Sequence, residues 1–235
     1  MRQYFLIFSL LANLLFAFVF FLFVQRSGGL RYLRYRLGHH QAALYAHRRQ
    51  LFEKMPVSPG AVIFVGDSQT EQCEWREWMA LPDTLRVLNR GITADHVSGV
   101  LERLPEILRH RPAAVFLMIG INDLLFGKSP ADILPVYDRI IKTVRQQSPH
   151  TRLVVLTLPP VNNQIKNIGL PNEAVRRLNA ALALLAQGNG LLLLDLYGPL
   201  SDGNAQLDAR FTEDGLHLNG EGYEVWKRVV QAAVQ

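Results

Sequence analysis

Hydrophobic positions along the chain fall into three regimes. From Tyr4 to Val24 they are nearly unbroken, with no charged residue and only Ser9 and Asn13 polar besides Tyr4. At about 1.5 Å per residue, a helix of this run is just long enough to cross a hydrocarbon core of about 30 Å. It outruns the apolar stretch of a cleavable signal peptide, about 7–15 residues, and ends Phe23-Val24-Gln25-Arg26 without a small-x-small cleavage site, so it reads as an uncleaved anchor. Residues 30–54 interleave Tyr, Leu and Arg around a weak point at Gly38 and predict a helical stalk. The turn-rich Met55-Pro56-Val57-Ser58-Pro59-Gly60 marks its end.

Beyond that boundary the periodicity alternates. Short β-branched and leucine-rich runs predict strands at 61–65, 85–89, 114–119, 153–158 and 191–194, with helices at 71–80, 95–109, 131–147, 173–187 and 221–233. In 95–109, for example, Val97, Val100, Leu101, Leu104, Ile107 and Leu108 recur at three- and four-residue steps. Alternating strands and helices imply an α/β fold with a parallel sheet covered on both faces. The organisation expected is therefore an anchor over 1–28, a basic helical stalk over 29–55 and one α/β domain over 56–235.

Charge supports that division and removes one class of function. The 235-residue chain carries a net charge of +5. Eight of its 25 Lys/Arg lie in residues 1–55 against one of its 20 Asp/Glu, which leaves 17 basic and 19 acidic residues for 56–235. The basicity belongs beside lipid head groups, and the domain has no basic excess with which to bind nucleic acid. Cys73, the only cysteine, excludes an internal disulfide and reads as a half-buried helix residue.

Ligands of parallel α/β sheets sit at the carboxyl ends of the strands. There the first strand ends Gly66-Asp67-Ser68-Gln69-Thr70, where Gly66 permits a sharp bend, Thr70 is a candidate helix cap and Ser68 sits at a helix N-terminus. The second ends Asn89-Arg90-Gly91-Ile92 and the third Gly120-Ile121-Asn122-Asp123. The loop before the terminal helix reads Asp214-Gly215-Leu216-His217-Leu218-Asn219. Taken singly, these are ordinary turn residues. Together they supply a hydroxyl, an imidazole, a carboxylate, an approachable backbone N–H and an amide donor, the parts of an acyl-transfer site.

These four blocks, in this order, resemble those of the GDSL/SGNH hydrolases over roughly residues 51–235. Their extended endings resemble the branch with platelet-activating-factor acetylhydrolase-like and carbohydrate O-acetylesterase-like members. Two departures stand out: Gln69 replaces the usual apolar residue after Gly-Asp-Ser, and Thr93-Ala94 stand where relatives often carry glycines. The resemblance implies a three-layer flavodoxin-like sandwich on a five-stranded parallel sheet. It also implies a Ser68–His217–Asp214 triad and an oxyanion hole from the N–H groups of Ser68 and Gly91 and the amide of Asn122. The turn-forming habit of Asp assigns Asp67 and Asp123 to holding loops. No cofactor is expected, and no His/Glu or Cys cluster suggests a metal. The expected activity is hydrolysis of small acyl esters, acetyl above all, with carbohydrate esters the leading class. The alternatives are a lysophospholipase or thioesterase acting on lipid acyl chains, acyl transfer to a glycan, and a non-enzymatic membrane adaptor.

Other signals carry less. Gly127-Lys128-Ser129 lacks the first glycine of a phosphate-binding loop, and the α/β-hydrolase elbow would need glycine where Thr70 stands. His96, His110 and His150 read as surface residues, and 159–166 as a mobile polar wall. Arg26, Arg31, Arg34 and Arg36 favour a cytoplasmic domain by the positive-inside rule, whereas the resembled family's habit is to act outside the cytoplasm; the expectation leans outside.

Overall fold

The computed structural model describes residues 2–26, 40–79, 82 and 84–234. Helix α1 (Arg2–Arg26) contains one span, Gln3–Phe23, with mean hydropathy 2.6 and none of it buried. By length and composition it suits a membrane span, and a signal sequence near the N-terminus has the same properties. The first half of the expected stalk lies outside the described residues; its second half is helix α2 (His40–Lys54). The chain divides into two compact units, Met1–His47 and Arg48–Gln235, so the end of α2 belongs with the α/β body.

That body is built on a five-stranded parallel sheet in the order β2-β1-β3-β4-β5. The strands are β1 (Val62–Gly66), β2 (Val87–Gly91), β3 (Ala114–Met118), β4 (Arg152–Leu156) and β5 (Leu192–Leu194). Every residue of β1 and β3 is buried, as expected of inner strands covered on both faces, while β5 at the edge is partly exposed. Register aligns Gly66 with both Gly91 and Met118, so the first three strands end level on one rim. The order reverses between β1 and β3, and the residues following those two strands carry Ser68 and Asn122. That reversal is the switch point at which such sheets open a crevice.

Five short or long helices follow strands: α3 (Ser68–Glu71), α4 (Trp75–Trp78), α5 (Val97–Leu108), α6 (Ile121–Leu125) and α7 (Pro130–Gln147). Then come α8 (Asn172–Gly188), α9 (Tyr197–Leu200), a 3-10 turn at Ala209–Phe211 and α10 (Gly220–Val234). The expected helix 71–80 is two short helices. Cys73 lies in the turn between them, buried, and burial with the nearby Glu74 carboxylate pushes its thiol up to about 12. The local cause of the break is aromatic packing: Trp75 stacks on Phe64 at 4.0 Å, meets Trp226 edge-on at 5.0 Å and donates its indole N–H to the Thr70 carbonyl. Gly127-Lys128-Ser129 is the approach to α7, where Ser129 and Asp132 form a capping box with Pro130 in the first turn.

His110 is a correction to the sequence reading. It is fully buried, because its Nδ1 accepts from the Ser58 N–H at 2.9 Å while Nε2 lies 3.2 Å from the Arg90 guanidinium and 3.3 Å from Glu106.

Candidate active site

The Ser68 turn is fixed by a capping carboxylate and by the terminal helix. Asp67 caps α3 by accepting the Gln69 N–H at 3.0 Å, the role expected of Thr70, whose hydroxyl is buried without a partner. Gln69 is 1 % exposed and faces the core, and its carbonyl accepts the Tyr223 hydroxyl at 2.7 Å from the terminal helix. Ser68, the first residue of α3, has no intrahelical acceptor for its N–H.

Ser68 Oγ lies 3.0 Å from His217 Nε2, and His217 Nδ1 lies 2.7 Å from Asp214 Oδ2. The second Asp214 oxygen, Oδ1, accepts the N–H groups of Leu216 at 2.9 Å and His217 at 2.8 Å. Partial burial works to raise the Asp214 pKa, but the hydrogen bonds from the His217 ring and these two backbone groups outweigh it and bring it down to about 2. The carboxylate is therefore ionised near neutral pH, and it holds the His217 Nδ1–H toward itself and Nε2 toward Ser68.

The loop owes its shape to Gly215, whose φ of 81° is left-handed and whose missing Cβ would stand 2.4 Å from the Asn162 carbonyl oxygen. The Gly215 carbonyl accepts the Asn162 N–H at 2.7 Å. The segment 159–166, expected to be mobile, is instead pinned by asparagines. Asn162 is buried and donates to the Leu207 carbonyl at 2.8 Å, and Asn172 exchanges two hydrogen bonds with Val161, each 2.8 Å.

Of the three groups expected as oxyanion donors, the Asn122 amide gives one hydrogen to the Asp95 carbonyl at 3.0 Å and carries a second. Gly91 does not stand free, because its N–H donates to Asn89 Oδ1 at 2.8 Å. Its glycine identity has another cause, since a Cβ there would lie 2.2 Å from the Glu71 backbone nitrogen. The following turn, closed by Asp95 N–H on the Ile92 carbonyl at 3.1 Å, carries Ala94 at a φ of 61°. A left-handed alanine costs about 1–2 kcal/mol, and such strain concentrates at working sites. Among the described residues the Ala94 N–H has no hydrogen-bond partner, and its turn is tied to Asn122 through Asp95. The sequence reading noted Thr93-Ala94 only as a departure from the glycines of the resembled family. Asp123 accepts the Val97 N–H at 3.0 Å and the Lys128 ammonium at 2.7 Å, which holds two loops together.

Residues 64–225 match the model of the GDSL-like Lipase/Acylhydrolase family. The chain belongs to this family. A segment of 145 residues, 61% of the chain, is 27% identical to an N-acylneuraminate cytidylyltransferase of Streptococcus agalactiae serotype V and covers 33% of that protein. Another of 76 residues, 32% of the chain, is 34% identical to esterase TesA of Pseudomonas aeruginosa and covers 38% of it. The chain thus spans about a third of the length of the curated relatives it matches. Among solved structures, a protein described as a platelet activating factor from Streptococcus pneumonia superposes with a TM-score of 0.76 at 26% identity, covering 88% of this chain and 98% of that one. A GDSL-like lipase from Bacteroides thetaiotaomicron shares the fold with a TM-score of 0.68 at 20% identity, over 82% of this chain and 97% of that one.

Proposed function

We propose that this GDSL-family esterase is anchored in a membrane by residues 4–24 and hydrolyses small acyl esters, acetyl esters of a carbohydrate above all, with Ser68 as nucleophile. The observation that carries the reading is the Ser68–His217–Asp214 chain of contacts at 3.0 and 2.7 Å. In the proposed reaction His217 Nε2 takes the Ser68 hydroxyl proton as Oγ bonds to the ester carbonyl carbon. The resulting oxyanion accepts hydrogen bonds from the Ser68 N–H, the Asn122 amide and, in place of Gly91, the Ala94 N–H. Collapse breaks the bond to the alcohol oxygen, which leaves with the proton held by His217. Water then attacks the acyl-enzyme, giving its proton to His217, and the acid departs as Ser68 recovers its hydrogen. Asp214 stabilises the imidazolium throughout. One donor of this kind is worth roughly 2.7–4 kcal/mol of barrier.

Two observations support a polar alcohol as leaving group. The segment beside the Asp214 loop is polar, with Asn163 half-buried and Gln164 and Lys166 exposed, and buried Asn162 bonds it to that loop. The cytidylyltransferase relatives also act on an acylated sugar acid, an N-acylneuraminate, by their name. The apolar α1 helix favours a second reading, a lysophospholipase that works at the membrane it enters. Full-length protein in detergent, offered acetylated glycans and lysophospholipids side by side with products read by mass spectrometry, separates the two. Release of acetate from the glycan, with p-nitrophenyl esters cleaved progressively more slowly as the acyl chain lengthens, supports the carbohydrate reading. Preference for long acyl chains overturns it in favour of the lipid reading. We place the domain outside the cytoplasm, where surface glycans are found; a reporter fused after Gln235 that is active only in the cytoplasm would contradict that placement.

A further inference from the structure

We propose that Arg48 and Glu71 are positioning residues for the esterase reaction: they clamp the turn Ile92–Asp95 against the nucleophile turn from outside the crevice. The inference rests on the proposed role of Ser68 and adds residues that no motif contains.

Glu71 is the last residue of α3, three positions after Ser68, so its side chain moves with the nucleophile. Its Oε2 accepts the Thr93 N–H, the backbone donor immediately before Ala94. Its Oε1 pairs with Arg48 Nε at 3.1 Å, and the same Nε donates to the Gly91 carbonyl at 3.3 Å. One guanidinium therefore bridges the end of β2 and the helix of the nucleophile, and one carboxylate bridges that helix and the turn after β2. On the inner side, Arg103 Nε donates to Asp95 Oδ2 at 2.8 Å and its Nη2 to the Gly66 carbonyl at 3.1 Å. The turn is thus held on both sides. The inner side is fully buried, while Arg48 and Glu71 are 29% and 25% exposed.

The geometry explains why a clamp is needed. Ala94 is held in a backbone conformation that an L-residue leaves when released, and Thr93 N–H is the last donor fixed before it. The distance between the Ser68 N–H and the Ala94 N–H sets how well both reach one oxyanion, and a misplacement of about 1 Å from a remote substitution costs roughly 100-fold in rate. Arg48 is itself oriented: its guanidinium lies 4.9 Å from the Phe52 ring centroid, one helical turn on, and Phe52 is buried with its carbonyl accepting Arg109 Nη2 at 2.8 Å. Arg49, next on the helix, pairs instead with Glu53 and Glu102 on the surface.

The test uses full-length Arg48→Ala, Glu71→Gln, Arg49→Ala and Ser68→Ala, with kcat and KM for an acetyl ester and the rate of fluorophosphonate labelling. Arg48→Ala is expected to lower kcat and the labelling rate together, by roughly 10- to 100-fold, with KM within about twofold and a melting temperature near that of the parent. Glu71→Gln keeps an acceptor for Thr93 N–H but loses the ion pair, so it falls in between; Arg49→Ala is expected to match the parent. If Arg48→Ala melts early, Glu71→Gln and Arg48→Lys carry the test through a smaller drop in kcat at unchanged KM. Parental kcat in Arg48→Ala or, where it unfolds, in both other variants overturns the clamp while Ser68→Ala remains dead. Activity in Ser68→Ala would instead overturn the reading on which it rests.

Discussion

Asp67 stands next to the nucleophile and is fully buried, with Oδ1 on the Gln69 N–H and Oδ2 without a partner. Burial, partly offset by the Gln69 bond and reinforced by the carboxylates of Asp95 and Asp123, raises its pKa from 3.8 to about 7. The folded state therefore keeps a proton that the unfolded chain releases, and between about pH 4 and 7 the residue costs the fold more as pH rises. Asparagine can cap Gln69 equally well and does not titrate. The stability difference between Asp67→Asn and the parent, from urea titrations, should move in favour of the variant by a few kcal/mol, roughly, from pH 4 to 7 and flatten above. A difference that does not change with pH would show that Asp67 titrates as an ordinary carboxylate. Asp214 runs the other way: with its pKa held near 2, its contribution is present above the ordinary carboxylate range and is lost only as pH falls toward 2. The two aspartates flank one serine yet occupy opposite protonation regimes, which the sequence does not reveal because only burial and partners distinguish them.

Among the elements, the inner strands and long helices were legible because their periodicity is strong: β1, β3, α7 and α8 lie within a residue or two of their expected bounds. The second strand was expected at 85–89 and runs Val87–Gly91. The expected strand stopped at Asn89, but pairing with β1 carries it on to Gly91, and buried Arg90 finds Glu106 at 3.1 Å and His110 at 3.2 Å. The fourth was expected to reach Leu158, whose N–H instead goes to Asn179 Oδ1 on α8. Of the proposed site, Ser68, Asn122, Asp214 and His217 were named from motifs. The proposed roles of Ala94, Arg48 and Glu71 were not, since a strained backbone and an ion pair between distant segments leave no local pattern. The element most exposed to substitution is the 212–219 loop. Gly215→Ala combines a left-handed φ with a contact of 2.4 Å to the Asn162 oxygen, so about 1–3 kcal/mol of stability should be lost in urea titration. Because Asp214 and His217 flank the glycine, kcat should fall further than stability alone requires. A variant with parental midpoint and kcat would contradict this account of the loop.

For the whole molecule, one arrangement serves several demands. Level strand ends at a switch in strand order bring four separate loops to one rim. The aromatic stack Phe116–Phe64–Trp75–Trp226 underlies the nucleophile turn, and Tyr223 ties that turn to the terminal helix. Rigid support of this kind is what a preorganised oxyanion site requires. The buried thiol of Cys73, pushed up to about 12 by desolvation, is no rival nucleophile. Mass-spectrometric mapping of the adduct formed when active full-length protein meets a fluorophosphonate tests the central claim most directly. The account predicts a single phosphonyl group on Ser68, formed as fluoride leaves, with loss of ester hydrolysis in step with labelling and no adduct in His217→Ala on the same time scale. Protein that continues to cleave esters with Ser68 unmodified, or that carries the adduct on another residue, would contradict it.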